Sequence, residues 1–459
     1  MKRIIFLLLI CVTNGCTKKL DLKPDSSIVL PESVQDLEMI LDNTDKMNNT
    51  LGLAHISADE YIIPSLQIWN SLRTITSRNA SIWEKDIYGG ETKISDWTTP
   101  YGSIYYCNNV LEILSRQDIS TDIEKKKLKG WALFGRSYAF YSLVSTFCKA
   151  FDRSTASSEL GMPLKLKAGI DEIVPRSSLK DSYDQIISDA MEAAELLQQD
   201  IIPGKRTRPS KVAAFAFLAR VYLSMRTYDK AELYADKTLT LYSKLTDFNT
   251  LSKTSNSFNY DSEEIIYFTR QITTYSQLTS AAISNTYGVN PELIGLYSPY
   301  DLRIPIYFQK NTSGNFNLKR INSLTASPFT GLATDEIYLI KAECLARRGE
   351  TQKSMDFLNQ LAEKRWNPNA KIPVTSFQPM TATSPDVALD KILIERRKAL
   401  VWRSLRWTDL KRLNMEGRNI TITRKLDDKT YTLLPNSPRY ILPIPDDEVS
   451  LSGVQQNER

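Results

Sequence analysis

Two stretches, "SKVAAFAFLARVYLSMRTYDKAELYADKTL" at 210–239 and "EIYLIKAECLARRGETQKSMDFLNQLAEKR" at 336–365, carry one pattern twice. In the first, Ala219, Tyr222, Tyr228 and Ala231 alternate small and aromatic side chains at helical spacing; in the second, Ala342, Leu345, Gly349 and Leu358 stand in the matching places. Small residues let two helices approach, and the larger ones fill the space beside the contact. Each stretch therefore reads as a helical hairpin, with Gly349 at the turn of the second, where a positive φ is accessible to glycine. Two further amphipathic helices precede them. One spans 125–150, with Trp131, Phe134, Tyr138, Tyr141 and Cys148 on one face, and the other runs from Tyr183 to Leu197.

The internal spacing is that of a tetratricopeptide repeat, but setting Ala219 on Ala342 separates the copies by 123 residues, against about 34 in a tandem array. The expected fold is therefore mainly α: tetratricopeptide-like hairpins near 125–245 and 334–413, interrupted by large insertions near 46–95 and 246–332. Those insertions are rich in Ser, Thr, Asn, Pro, Gly and Tyr, which predicts irregular loops with a few short strands on the surface where function concentrates. The last twenty residues, "YILPIPDDEVSLSGVQQNER", show no helical period and are expected to wrap the body in extended form.

At the other end, Lys2 and Arg3 precede nine apolar residues, Ile4 to Val12, far short of the roughly 20 that a membrane-spanning helix needs. A basic start, a short apolar core and a small residue form an export signal. Gly15 directly precedes Cys16, the arrangement at which a lipoprotein leader is cut, whereas bulky Ile10 precedes Cys11; Thr13 replaces the leucine usual in that box. The reading is a leader at 1–15, a lipid-carrying Cys16 with a tether through residue 45, and one domain over 46–459. The plainer alternative is a soluble secreted protein cut nearby.

Composition narrows the function more by exclusion than by pointing. An apolar share of 42% and a charged share of 24% are those of a globular protein. Net charge is +5, or +3 once Lys2 and Arg3 are removed, and no basic stripe argues for nucleic acid. The single histidine, His55, excludes sites that need several imidazoles and is expected in a loop or the core. Cys107, Cys148 and Cys344 are widely spaced in apolar surroundings and read as buried thiols. There is no GxSxG, Walker loop or CxxC pair, and no EF-hand spacing of carboxylates, so neither catalytic residue, cofactor nor metal is assigned.

Five blocks in order resemble the SusD/RagB family of outer-membrane lipoproteins. These are "CTKKLDLKP" from Cys16; "WTTPYGSIYYCNNVLE" with Trp97, Tyr101, Ile104 and Asn108; "VPRSSLKDSYDQIISDAMEAAELL" with Arg176, Tyr183, Ile186 and Asp189; "ERRKALVWRSLRWTDLKRL" with Glu395, Arg396, Arg397, Arg406, Trp407, Asp409, Leu410 and Arg412; and "LPIPDDEVSLSGVQQN" with Pro443, Pro445, Glu448, Gln456 and Asn457. The resemblance implies a helical receptor that captures a nutrient, most often an oligosaccharide and sometimes a peptide, and passes it to a TonB-dependent SusC-like barrel without catalysis. It also implies an outer-membrane position facing out of the cell. One departure is Lys18 and Lys19 after Cys16, where surface-displayed members often carry acidic residues.

Sugars offer C–H faces to aromatic rings and hydroxyls to Asn, Gln, Asp and Arg, so ligand contacts are expected in the insertions. Candidates are Trp69, Asn70, Arg78 and Trp83 in the first, and Tyr287, Tyr297, Tyr300 and Tyr307 in the second; Asp301 and Arg303 read as structural. Trp69 and Trp83 lead because tryptophans in polar loops lack an obvious core to fill. The charged block Glu395, Arg396, Arg406, Trp407 and Asp409 is expected to be a partly buried ion-pair network, with Arg406 and Asp409 pairing three apart on one helix. Rival readings are a repeat scaffold that binds proteins on its concave helical face, and a glycan hydrolase, which needs two placed carboxylates.

Overall fold

The computed structural model describes residues 31, 33–116, 121–169, 172–253, 260–319, 326–368 and 377–459; the expected leader, Cys16, Lys18 and Lys19 lie outside the described residues. Ten helices of eight residues or more occur among them. They are α1 (Val34–Leu41), α2 (Ser95–Arg116), α3 (Asp122–Phe147), α4 (Leu179–Leu196), α5 (Lys211–Ser224), α6 (Tyr228–Leu241), α7 (Thr334–Arg347), α8 (Thr351–Glu363), α9 (Pro385–Ala399) and α10 (Arg406–Met415). No helix among the described residues is long and apolar enough to cross a membrane.

Their starts follow from capping chemistry. Thr121 and Glu124 form a capping box on α3, Ser210 caps α5, and Ser384 caps α9 with Pro385 as its first residue. The face predicted for α3 is wider than its sequence period suggests. From Gly130 to Phe147 every residue but Ser145 is buried, because α2 and α4 pack against it from different sides.

Both expected hairpins are present, α5–α6 and α7–α8, with Ala219, Ala231 and Ala342 fully buried at the contacts. Gly349 sits at the second turn with φ +89°. In the first hairpin the same place is Arg226, φ +57°, a conformation that costs an L-residue about 1–2 kcal/mol. Its guanidinium is held there by Phe151 O at 2.9 Å. Although the copies are far apart in the chain, α6 packs directly on α7, and Lys341 of α7 bonds Glu232 and Asp236 of α6 at 2.7 and 2.8 Å. The residues between loop out and return, so the hairpins stack as tandem repeats would.

The insertions contain short helices and two-stranded ladders. Asn49–Thr50 pairs in parallel with Arg270–Gln271, and Tyr61–Ile62 pairs antiparallel with Gly288–Val289, joining the first insertion to the second. Ile422–Leu426 and Lys429–Leu433 form a hairpin beyond α10. The C-terminal tail departs from the extended form expected for it, since Asp446–Ser452 is a short helix with acidic residues in its first turn. Beyond it, Asn457 Nδ2 bonds Phe147 O and Leu442 O at 2.7 Å each, and Gln456 bonds Ile444 through both backbone groups.

Candidate functional site

The charged block of α9 and α10 builds the frame on which the insertions rest. Glu395 accepts from Arg303 at 2.7 Å and from Lys398, and Arg303 also forks onto Asp301 at 2.8 and 2.6 Å. The second insertion is thereby tied to α9, and Asp301 and Arg303 are buried structural residues. The predicted pair of Arg406 with Asp409 does not form. Asp409 accepts from Arg396 and Arg412 at 2.8 Å each, while Arg406 reaches Asp59 of the first insertion at 2.7 and 3.0 Å. Burial works against the charge on Asp59, but the Arg406 and Arg397 guanidiniums outweigh it and hold its pKa at about 2. Trp407 is fully buried against Tyr440, ring centroids 4.6 Å apart.

His55 is a core residue, as its sequence setting implied, lying 4.9 Å from the Trp402 ring and 3.4 Å from Glu60. Burial drives its pKa down to about 3, and burial lifts Glu60 to about 8 even though Glu60 accepts the Trp402 N–H. Cys107, Cys148 and Cys344 are buried free thiols.

The eight candidate ligand residues divide sharply. Trp83 is 1% exposed, donates Nε1 to Ser57 O at 2.8 Å and takes φ +59°; it is a core anchor despite its polar sequence surroundings. Tyr287 is fully buried against Trp402 with its hydroxyl on Ser280 O, and Tyr297 is buried with its hydroxyl on Lys398 O. These three present no ring face to a ligand. Tyr307 is half-buried beside Phe248 and lines a cavity of about 40 Å³, a volume suited to water and not to a sugar ring.

Trp69, Asn70, Arg78 and Tyr300 remain at the surface. Trp69 lies on a short helix, Leu66–Asn70, capped by Ser65, and its Nε1 is fixed by Arg78 O at 3.0 Å and Ser81 Oγ at 3.2 Å. The ring is half-buried, with its polar edge already satisfied; Asn70 beside it is exposed. Glu91 clamps the start of the next helix by accepting from the Ile75 and Thr76 backbones, which sets Arg78 in place. Tyr300 stacks on Trp366, centroids 4.4 Å apart and planes 18° apart, with Phe377 edge-on to Trp366 at 5.9 Å. Both rings are half-buried. Trp366 escaped the sequence reading; its signal was the turn-forming "NPN" that follows it. Ring contacts do not join Trp69 to the Tyr300–Trp366 stack, so the structure offers two aromatic surfaces and not one.

Profiles of two related families match the chain: one described as starch-binding and associating with the outer membrane, over residues 18–223, and the SusD family, over residues 332–458. No curated protein matches it. Among solved structures, a SusD superfamily protein from Bacteroides fragilis is similar at 20% identity and TM-score 0.73, covering 91% of this chain and 98% of its own. A SusD-like carbohydrate binding protein from Bacteroides vulgatus matches at 20% identity and TM-score 0.68, covering 92% and 97%. The surface glycan-binding protein A from Bacteroides uniformis matches at 15% identity and TM-score 0.68, covering 92% and 98%. With the stacked helical hairpins and the frame of α9 and α10 as its structural core, the chain belongs to the SusD family.

Proposed function

We propose that this protein is a lipid-anchored nutrient receptor of the outer membrane that binds an oligosaccharide and hands it to a TonB-dependent SusC-like transporter. Membership of the SusD family carries the reading. Fold-level neighbours named for carbohydrate or glycan binding support the sugar class. The half-buried rings of Trp69 and of the Tyr300–Trp366 stack supply surfaces suited to C–H faces, and exposed Asn70 supplies a partner for hydroxyls. Acyl chains on Cys16 form the anchor, and the residues after it the leash to the barrel. The reading is of a binder: contacts of modest size suit a receptor that must release what it captures.

Calorimetric titration of the mature chain with a panel of oligosaccharides, and with mixed peptides alongside, tests it. One glycan class is expected to give heat without product formation. Trp69→Ala or Trp366→Ala is expected to weaken that binding roughly three- to tenfold, the size of one aromatic contact. Heat with peptides alone would transfer the protein to the peptide-capturing branch of the family. Silence from both would sink the receptor reading in favour of a scaffold.

A further inference from the structure

Away from both aromatic surfaces, α9, α10 and the segment after them enclose a groove of about 450 Å³. Four guanidiniums line it: Arg396 and Arg397 from the last turn of α9, Arg406 from the start of α10, and Arg418 beyond its end. The carboxylates they meet are fewer. Asp59 serves both Arg406 and Arg397, Asp390 serves Arg418, and Asp409 is shared between Arg396 and Arg412. Four cations against three anions leave the groove positive.

The hydrogen-bond accounting points the same way. Arg396 is 3% exposed, and its Nη1 meets no acceptor; neither does Arg397 Nε. A buried charged donor without a partner is strongly unfavourable, so an oxygen-rich anion in the groove answers a need the protein's own groups leave open. Leu296, Leu393 and the partly exposed Ile394 form apolar wall beside the arginines. A free inorganic anion would leave that wall uncovered, whereas a pyranose ring bearing a carboxylate would cover it and present a planar acceptor to a guanidinium fork. The volume is of the class that holds small ligands. Both insertions reach the place, the first through Asp59 and the second through Leu296.

We infer that the groove between α9 and α10 binds the carboxylate of an acidic sugar residue, a second saccharide site distinct from the aromatic surfaces. The inference rests on the receptor reading and narrows its ligand to glycans that contain uronic acids.

The test is calorimetry of the mature chain with trigalacturonate, with neutral galactotriose, and with inorganic phosphate as competitor. Arg418→Gln is the first variant, because Arg418 is half-exposed and its bond is to exposed Asp390 alone; Arg397→Gln is the second. Trigalacturonate is expected to bind about tenfold more tightly than galactotriose, with the margin shrinking at high salt. Either variant is expected to reduce acidic-sugar affinity by roughly three- to tenfold and leave the neutral sugar unchanged. Equal affinity for the two sugars, unaltered by either variant, overturns the inference while the receptor reading stands. Phosphate that binds as tightly as trigalacturonate and displaces it makes the groove a small-anion site and overturns the sugar assignment. Failure of every saccharide overturns both readings together.

Discussion

Between pH 6.5 and 8 the His55–Glu60 pair should make the protein lose stability, and Glu60→Gln should abolish that loss. The two side chains are 1% and 2% exposed and 3.4 Å apart, so the fold holds them in a shared low-dielectric site. Burial raises Glu60 from 4.5 to about 8 and lowers His55 from 6.5 to about 3. A carboxyl raised in this way contributes stability that is complete below its unfolded value and is lost as pH climbs through 8. A lowered histidine contributes stability that is complete above 6.5 and is lost as pH falls through 3. Between 4.5 and 6.5 the two slopes cancel, because folded and unfolded chains each hold one proton on the pair. That balance holds whichever side chain carries the proton. Above 6.5 the unfolded pair is proton-free while the folded pair keeps one proton up to about 8. Across that one and a half pH units, at 1.36 kcal/mol per unit, about 2 kcal/mol is lost. Urea unfolding at pH 6.5 and 8.5 for wild type and Glu60→Gln reads the effect. Buried Glu264, lifted to about 7, titrates in both proteins and drops out of the difference. A difference between the two proteins that stays flat across this window would refute the account of the buried pair.

Three further outcomes follow from the frame. Glu395→Ala leaves Arg303 and Lys398 buried without their shared carboxylate and should cost about 3 kcal/mol in urea unfolding, with glycan affinity of the folded fraction unchanged. At Gly331 an added Cβ would fall 1.9 Å from Tyr267 O and 2.8 Å from Thr269 N; Gly331→Ala should therefore destabilise by about 3 kcal/mol, and a midpoint equal to wild type would contradict this close backbone approach. Burial lifts the Cys107 thiol to about 12 and raises Cys148 and Cys344 as well, so a thiol reagent at pH 8 should find none of the three until urea is added.

The helical body was legible because its determinants are local. Alanine, aromatic and glycine spacing within thirty residues announced both hairpins, and the turn at Gly349 follows from that residue alone. The stacking of one hairpin on the other was not announced, since it depends on a return of the chain after a long excursion. The same distance effect misdirected the site. Arg406 had an acceptor three residues away, yet took Asp59, 347 residues distant, because Asp409 was already shared by two other arginines. Trp83 looked like a loop tryptophan because the groups that bury it, Ser57 O and Arg424 among them, come from elsewhere in the chain. Trp366 failed to register for the opposite reason: its stacking partner Tyr300 lies in another segment, so neither residue's neighbours suggested a pair. Spacing reports which face a residue takes on its own element, and burial by remote segments has no counterpart in that signal.

The ladders that join the two insertions have an implication for the order of folding. Asn49 pairs with Arg270 and Tyr61 with Val289, each across more than 200 residues and each with only two residue pairs per ladder. Closing so long a loop for so few bonds is unfavourable until something else has brought its ends together. Helices α2 to α6 are neighbours in sequence and can assemble early; these ladders must wait for α7 to dock on α6. What closes last with little to hold it also opens first, so amide exchange should be fastest along these seams while α3 remains protected. The insertions that bear Trp69 and Tyr300 would then be hinged to a body that stays folded while they breathe.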